Sequence, residues 1–404
     1  MSGAPRQRAD AGTLFDAALL ADPHGGYARL RAAAPVHRTT TPDGAPVWLV
    51  TRYQDVRAAL ADPRLSLDKR TAGSSGEHGA SMPPELDAHL LNLDPPDHTR
   101  LRRLVATAFT PRTVEGLRPT IQACVAALLD RLAAPGADLM AQLAVPLALT
   151  VICDLLGIPD AGRPDFRRWT DTLRSPAPDA AKASRAAMGE MHGYLTALIA
   201  EKREHPADDL LTRLIAARDE RERLSEPELV ALAFLILFAG YDNSANLIGN
   251  ALLALLTTPG AVADLRGGAL EPEALLEETL RWNSPSMLAS RRFAREDLQI
   301  AGVTIPAGER VWLSLVSANR DEARFAAPAE FRLDREGGHL GFGHGLHYCL
   351  GAALAKLEAQ TSLTALVHRF PGLVLAGPAA DPAAGLAWHG SFRNRGLREL
   401  PVVW

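Results

Sequence analysis

Along most of the chain apolar positions recur at helical spacing, but between residues 225 and 260 they crowd together. Ser225-Glu226-Pro227-Glu228 opens this run as a capping box, with serine at the N-cap and glutamate three residues on, and Thr257-Thr258-Pro259-Gly260 closes it. The pattern predicts one helix of roughly 32 residues, about 48 Å long at 1.5 Å per residue. Residues 229–240 are apolar on every side, which predicts burial in a large core, and about a dozen residues are too few to cross a bilayer. Tyr241-Asp242-Asn243-Ser244 then puts polar groups into the middle of the helix, where each unpaired one costs about 1–3 kcal/mol. A structural hydrogen-bond network and a functional site are both open readings of that break.

Elsewhere, 36–38 and 47–50 flank a Pro42-Asp43-Gly44 turn and predict a hairpin. Helical patterns dominate from about 53 to 282, broken at 71–84 and 175–178, two candidate substrate-access segments. A second hairpin is predicted over 298–305, a strand over 311–315 and a helix over 352–370. The fold class is therefore mainly α with small β-sheets. Without internal repeats or charged linkers, 1–404 is expected to form one unit.

Composition narrows the function. The chain has 404 residues, 47% of them hydrophobic, enough for a large core. A formal net charge of −4 and the lack of any Lys/Arg block argue against nucleic acid as a partner. Cys124 and Cys153 fall in apolar helical patterns, so buried thiols are expected rather than disulfides. Residues 1–10 hold no apolar segment, so no signal peptide or membrane anchor is expected and the location is read as cytoplasmic.

The third cysteine lies in Phe342-Gly343-His344-Gly345-Leu346-His347-Tyr348-Cys349-Leu350-Gly351, just before the predicted 352–370 helix. Unpaired N–H groups and the helix dipole favour a thiolate there, which suits a nucleophile or a metal ligand. Zinc is disfavoured, because His344, His347 and Cys349 leave a four-coordinate site open. A cysteine nucleophile with His347 as base is open, and Gly341-x-Gly343-x-Gly345 is a poor match to a phosphate-binding loop. A buried structural thiol is the plain alternative. In the remaining reading, Gly343 and Gly345 bring the backbone close to a large flat cofactor, haem, and Gly351 clears the other side of the sulfur.

The run resembles the cysteine-ligand loop of the cytochrome P450 family, Phe-x-x-Gly-x-His-x-Cys-x-Gly, matched at Phe342, Gly345, His347, Cys349 and Gly351. The resemblance covers nearly the whole chain, with motifs in family order, and implies a triangular prism holding one haem b under the long central helix. Cys349 would be the axial ligand of the iron. Ala239-Gly240-Tyr241-Asp242-Asn243-Ser244 is similar to the family's distal motif, with Ala239 and Gly240 leaving room for O2 and Asp242 feeding protons. Asn243 departs from it, standing where a threonine hydroxyl usually helps to deliver protons; Asn243 would orient dioxygen or a substrate oxygen, with Asp242, Ser244 or water supplying the proton. His98 and Arg102, at i and i+4, with Arg292 and His347, would meet the haem propionates. Glu278 and Arg281 match the structural Glu-x-x-Arg pair, with Arg335 as a third member.

By the same resemblance the chain is a bacterial monooxygenase that inserts one atom of O2 into a C–H bond or an alkene. Electrons would come from ferredoxin and its reductase, with Arg100, Arg103, Arg112, His344 and Lys356 as a docking face. The substrate would be an apolar, medium-to-large secondary metabolite such as a polyketide or macrolide; terpenoid, steroid and fatty acid are alternatives. Its pocket is expected to include Leu237, Tyr241, Met287, Leu288, Ala289, Ser391 and Phe392, besides residues in 71–91 and 166–178. Oxidative coupling or peroxide use, suggested by Asn243, and a non-catalytic haem-binding protein are the competing functions.

Overall fold

Ser225 starts the central helix as the capping box requires. Its N–H donates to Glu228 Oε2 at 2.7 Å and its hydroxyl accepts from the Glu228 N–H at 3.4 Å. The helix runs unbroken over Glu226–Thr257, 32 residues, to a cap at Thr258. By length and composition it could cross a membrane, more than the 229–240 run implied, yet 78% of its most apolar window is buried within the protein. The computed structural model describes residues 13–73, 84–132, 136–174, 180–219, 224–335, 337–377 and 385–404.

Helices surround this axis because it offers an apolar surface on all sides. Val145–Leu156, Ala180–Glu204, Pro272–Trp282 and Ala352–Arg369 all pack against it. Contact with Val145–Leu156 is closest at Gly240, where a Cβ would lie 2.5 Å from Ile152 Cδ1. A continuous cluster of buried apolar residues extends from Leu86 to Val402 through these helices. Cys153 lies inside it, and burial pushes its thiol up to about 12, so it is inert at neutral pH.

The main sheet has five strands, in the order Val36–Thr40, Pro46–Val50, Arg310–Leu313, Arg292–Ala294 and Leu65–Ser66. Trp48 lies beside Val311 in a parallel pair, and Arg292 beside Val311 in an antiparallel one. This register sets Arg292, from the third quarter of the chain, one strand away from the N-terminal hairpin, with Arg310–Leu313 between them. The second hairpin joins Leu298–Ile300 to Val303–Ile305. The predicted strand over 311–315 stops at Leu313, because the Ser314 hydroxyl accepts from the Ser317 N–H and caps a short helix, Leu315–Ala318. Of the two access segments, residues 74–83 and 175–179 lie outside the described residues.

Candidate active site

Cys349 hangs in a loop that two glycines bend. Gly343 and Gly345 have φ of 75° and 73°, conformations that disfavour side chains, and a Cβ on Gly345 would lie 3.2 Å from Ala61 Cα. The Cys349 N–H donates to Phe342 O at 2.9 Å, and Arg102 Nη2 donates to Tyr348 O at 2.6 Å, so both flanks of the sulfur are tied down. The helix Ala352–Arg369 follows with Gly351 at its N-cap. Burial nevertheless pushes the Cys349 thiol up, outweighing the Gly351 N–H and Arg102, which act the other way. Proximity to a helix N-terminus alone predicts a thiolate; in this buried setting the anion needs a closer positive charge, such as a metal ion.

A cavity of about 380 Å³ separates this loop from the central helix. Phe342, Gly343, His347, Cys349 and Gly351 line one wall, and Ala239, Gly240, Asn243 and Ser244 another. His98, Arg102, Arg292, Leu288 and Ala289 also face it. The His98 and His347 rings are 4.2 Å apart. Both ring nitrogens of His98 are buried without a hydrogen-bond partner among the described residues. Burial, then the Arg102 charge, lowers the pKa of His98 to about 4; burial, then the His98 and Arg292 charges, lowers that of His347 to about 3. Arg292 is buried too, donates only to the carbonyls of Ser290 and Leu60, and is lowered to about 10 by burial. Four donors, buried or half-buried, whose nearby carboxylate Asp94 is engaged by Ser66, the Leu67 N–H and Arg295, fit a ligand bearing carboxylates, and a sulfur facing the same cavity fits a metal at its centre. The residues therefore fit a haem held by its propionates and its iron.

The Cytochrome P450 family model matches residues 165–267 and 273–377. The chain belongs to the cytochrome P450 family. It is 47% identical to cytochrome P450 107B1 of Saccharopolyspora erythraea over 96% of each chain. It is 41% identical to mycinamicin IV hydroxylase/epoxidase of Micromonospora griseorubida over 94% of this chain and 95% of the relative. The tirandamycin C-bound monooxygenase TamI superposes with a TM-score of 0.88 at 43% identity, covering 96% of this chain and 98% of TamI. The protein is thus a cytochrome P450 monooxygenase with the prism fold and a haem–thiolate cofactor.

On the distal side of this cytochrome P450, Asn243 Nδ2 donates to Ala239 O one turn back at 3.4 Å, and Asn243 Oδ1 accepts from Ser286 Oγ at 3.3 Å. Because the Ala239 carbonyl can only accept, nitrogen must face it, which sets the orientation of the amide. Asp242 is not in the cavity wall. It is buried, and its Oδ2 accepts from Asn394 Nδ2 at 2.7 Å; Asn394 lines the cavity, so Asp242 stands one hydrogen bond behind the wall. Nor does Gly240 simply leave room for a ligand, since Ile152 takes up that space.

Several expected pocket residues lie elsewhere. Leu237 and Tyr241 are buried in the helical core on another side of the central helix. Met287 is buried, and its backbone pairs with Arg393, Leu315 and Val316. Ser391 Oγ accepts from the N–H groups of Arg393 and Asn394, and the Phe392 ring meets Phe15 at 5.3 Å. Phe166 is packed against Trp169 and Tyr194. Leu90 and Leu91, from the expected 71–91 stretch, do line the wall, as do Leu288 and Ala289, and it also contains Ile236, Leu247, Ser286, Ser290, Arg393 and Asn394. Helical spacing from Asn243 could have found Ile236 and Leu247, which sit seven and four residues away on its face.

Glu278 and Arg281 are buried and bidentate, 2.7 Å apart at both contacts. Arg281 donates on to the carbonyls of Asn319, Pro328 and Glu330, and Glu278 Oε1 also accepts from Arg332 N–H and Arg335 Nε. The pair thereby holds the irregular segment that leads to Cys349. Of the proposed docking cations, Arg100 pairs with Glu228 at 2.5 Å and with Asp97 at 3.1 Å. Lys356 pairs with Glu273 at 2.8 Å and with Glu277. Arg103 and Arg112 remain exposed, as do the large side chains of Leu346 and Tyr348 on the cysteine loop.

Proposed function

We propose that this cytochrome P450 hydroxylates or epoxidises an apolar, medium-to-large secondary metabolite of the polyketide or macrolide kind. The observation that carries the proposal is the cavity framed by Cys349 on one wall and by Ala239, Asn243 and Ser244 on another. The relative named as a mycinamicin IV hydroxylase/epoxidase supports the choice of substrate class. Residues 1–404 act as one cytoplasmic catalytic unit around haem b. When bound, a thiolate-ligated haem supplies an iron centre whose sulfur donates electron density and favours O–O cleavage. His98, Arg102, Arg292 and His347 hold the propionates, and Cys349 holds the iron.

The remaining roles belong to side chains. Asn243, its oxygen engaged by Ser286, offers its free Nδ2–H to an oxygen atom in the cavity. Ser244, whose hydroxyl side chain lines the same wall, and ordered water move the protons that an amide cannot relay. Leu288, Ala289, Leu90 and Leu91 exclude water from the apolar body of the substrate. Ferredoxin and its reductase supply electrons, docking on the surface that shows Arg103, Arg112, Leu346 and Tyr348. Asn243 favours a second reading, oxidative coupling or peroxide-driven oxidation, in which proton delivery to dioxygen matters less.

The test is the reduced carbon monoxide difference spectrum together with reconstituted turnover. Wild type should give the red-shifted thiolate band, Cys349→Ser should lack it, and ferredoxin-supported reaction with a macrolide panel should yield products heavier by one oxygen atom. Turnover with peroxide but none with reductant and O2 would establish the second reading instead.

A further inference from the structure

Arg393 belongs to neither the cysteine loop nor the propionate set, yet it lines the cavity. It stays accessible although it lies deep among protein atoms, so the surface it presents is cavity surface. Its guanidinium stands 5.4 Å from the Trp312 ring centroid, and its side chain has neither an ion pair nor a hydrogen bond among the described residues. Stacking on a ring face leaves the N–H edge free to meet a planar acceptor.

The surroundings do not supply that acceptor. Arg291 and Arg310 are close enough that the Arg393 charge lowers the pKa of Arg291, and the Arg310 charge lowers that of Arg393. Arg393, which lines the cavity, is thus close to two further cations that do not. Two carboxylates act from nearby, Asp87 on Arg291 and Asp43 on Arg310 and Arg393, and neither makes an ion pair with Arg393 among the described residues. Asp87 is held by Lys69 at 2.5 Å and by Asn92 at 2.8 Å, and Asp43 accepts from the Thr41 hydroxyl. Arg291 itself reaches only Asn92 Oδ1, at 3.4 Å. A buried cation without an anion is costly, and a ligand that brings one relieves that cost.

We propose that Arg393 forms an anion site in the cavity wall that takes the carboxylate of an otherwise apolar substrate. This deepens the monooxygenase reading and rests on it. The substrate class narrows to an apolar chain or ring system carrying an acid, oriented with the acid at Arg393 and its carbon skeleton along Leu288 and Ala289. The acid then serves as a fixed anchor from which the reacting carbon is measured.

Imidazole-tipped probes test the site without needing the natural substrate. A series of ω-(imidazol-1-yl)alkanoic acids of increasing chain length is titrated into the ferric holoenzyme beside the matching methyl esters; the azole ligates the iron, so every member gives a spectral shift. At one chain length the acid should bind about tenfold or more tightly than its ester, by one charge-assisted contact. Arg393→Gln should abolish that advantage and leave the esters unchanged, while Arg393→Lys retains part of it. Equal binding of acid and ester at every length, or an advantage that survives Arg393→Gln, overturns the site. The reduced carbon monoxide band of the same preparations separates this from failure of the haem–thiolate reading, because loss of the band in wild type would sink that reading whatever the acids do.

Discussion

Asn243 shows how one side chain can be constrained by neighbours that the sequence keeps far apart. Ser286 is 43 residues away, yet its hydroxyl engages the amide oxygen and leaves an N–H facing the cavity. Removing that hydroxyl should cost little stability, about 1 kcal/mol, but leaves the 3.4 Å bond to the Ala239 carbonyl as the amide's remaining hold among the described residues, so that it turns more readily. Ser286→Ala is therefore expected to lower the coupling of electron use to product about fivefold, the factor that corresponds to about 1 kcal/mol. The measurement is product formed per reductant consumed, with peroxide release as the complement. Ser286→Thr keeps the hydroxyl and should restore coupling, which a purely structural role would not require. Unchanged coupling in Ser286→Ala would show that the amide orientation does not matter.

At the scale of elements, buried charge holds together what apolar packing cannot. Glu278 accepts from the Arg281 and Arg335 guanidiniums and from the Arg332 backbone N–H, and its pair with Arg281 is buried. Glu278→Gln leaves two buried guanidiniums without their carboxylate and should destabilise the protein by about 3–5 kcal/mol. Urea unfolding of the haem-loaded protein checks this, and the thiolate band should weaken in parallel as the cysteine loop loosens. Such elements were legible where local chemistry is sufficient: the capping box at Ser225, the turn before Pro46–Val50, and the loop around Cys349 each carry their own signal. The cavity-facing side of the central helix was legible only through Asn243, whose helical spacing reaches Ile236 and Leu247. Without it the apolar stretch has no preferred direction, and the resemblance points to Leu237 and Tyr241, which lie on another side. Arg393 was missed because it follows no periodic pattern, and long-range pairings such as Met287 with Arg393 and Ser286 with Asn394 bring that segment to the cavity.

For the whole molecule, buried neutral histidines set the response to acid. His24 is held well below its ordinary value by burial and by the Arg320 and Arg395 charges, and burial lowers His89 to about 4. Both are neutral in the native state at neutral pH. As pH falls below about 6.5 the unfolded chain takes up protons that the native one refuses, so stability declines from there towards about pH 4. Urea midpoints measured across that range should fall, and His89→Gln should flatten part of the slope. A slope that is identical in wild type and variant would show that His89 does not carry it.

Glu228 has a consequence beyond the helix it caps. The same carboxylate that closes the first turn of the central helix also grips Arg100, on the helix that carries His98 and Arg102. The beginning of the beam above the cavity is thereby pinned to the clamp at its side, and cofactor seating and roof position share one joint. For anyone reshaping this enzyme, Glu228 is a hinge pin: altering it shifts the frame against which every distance in the pocket is set.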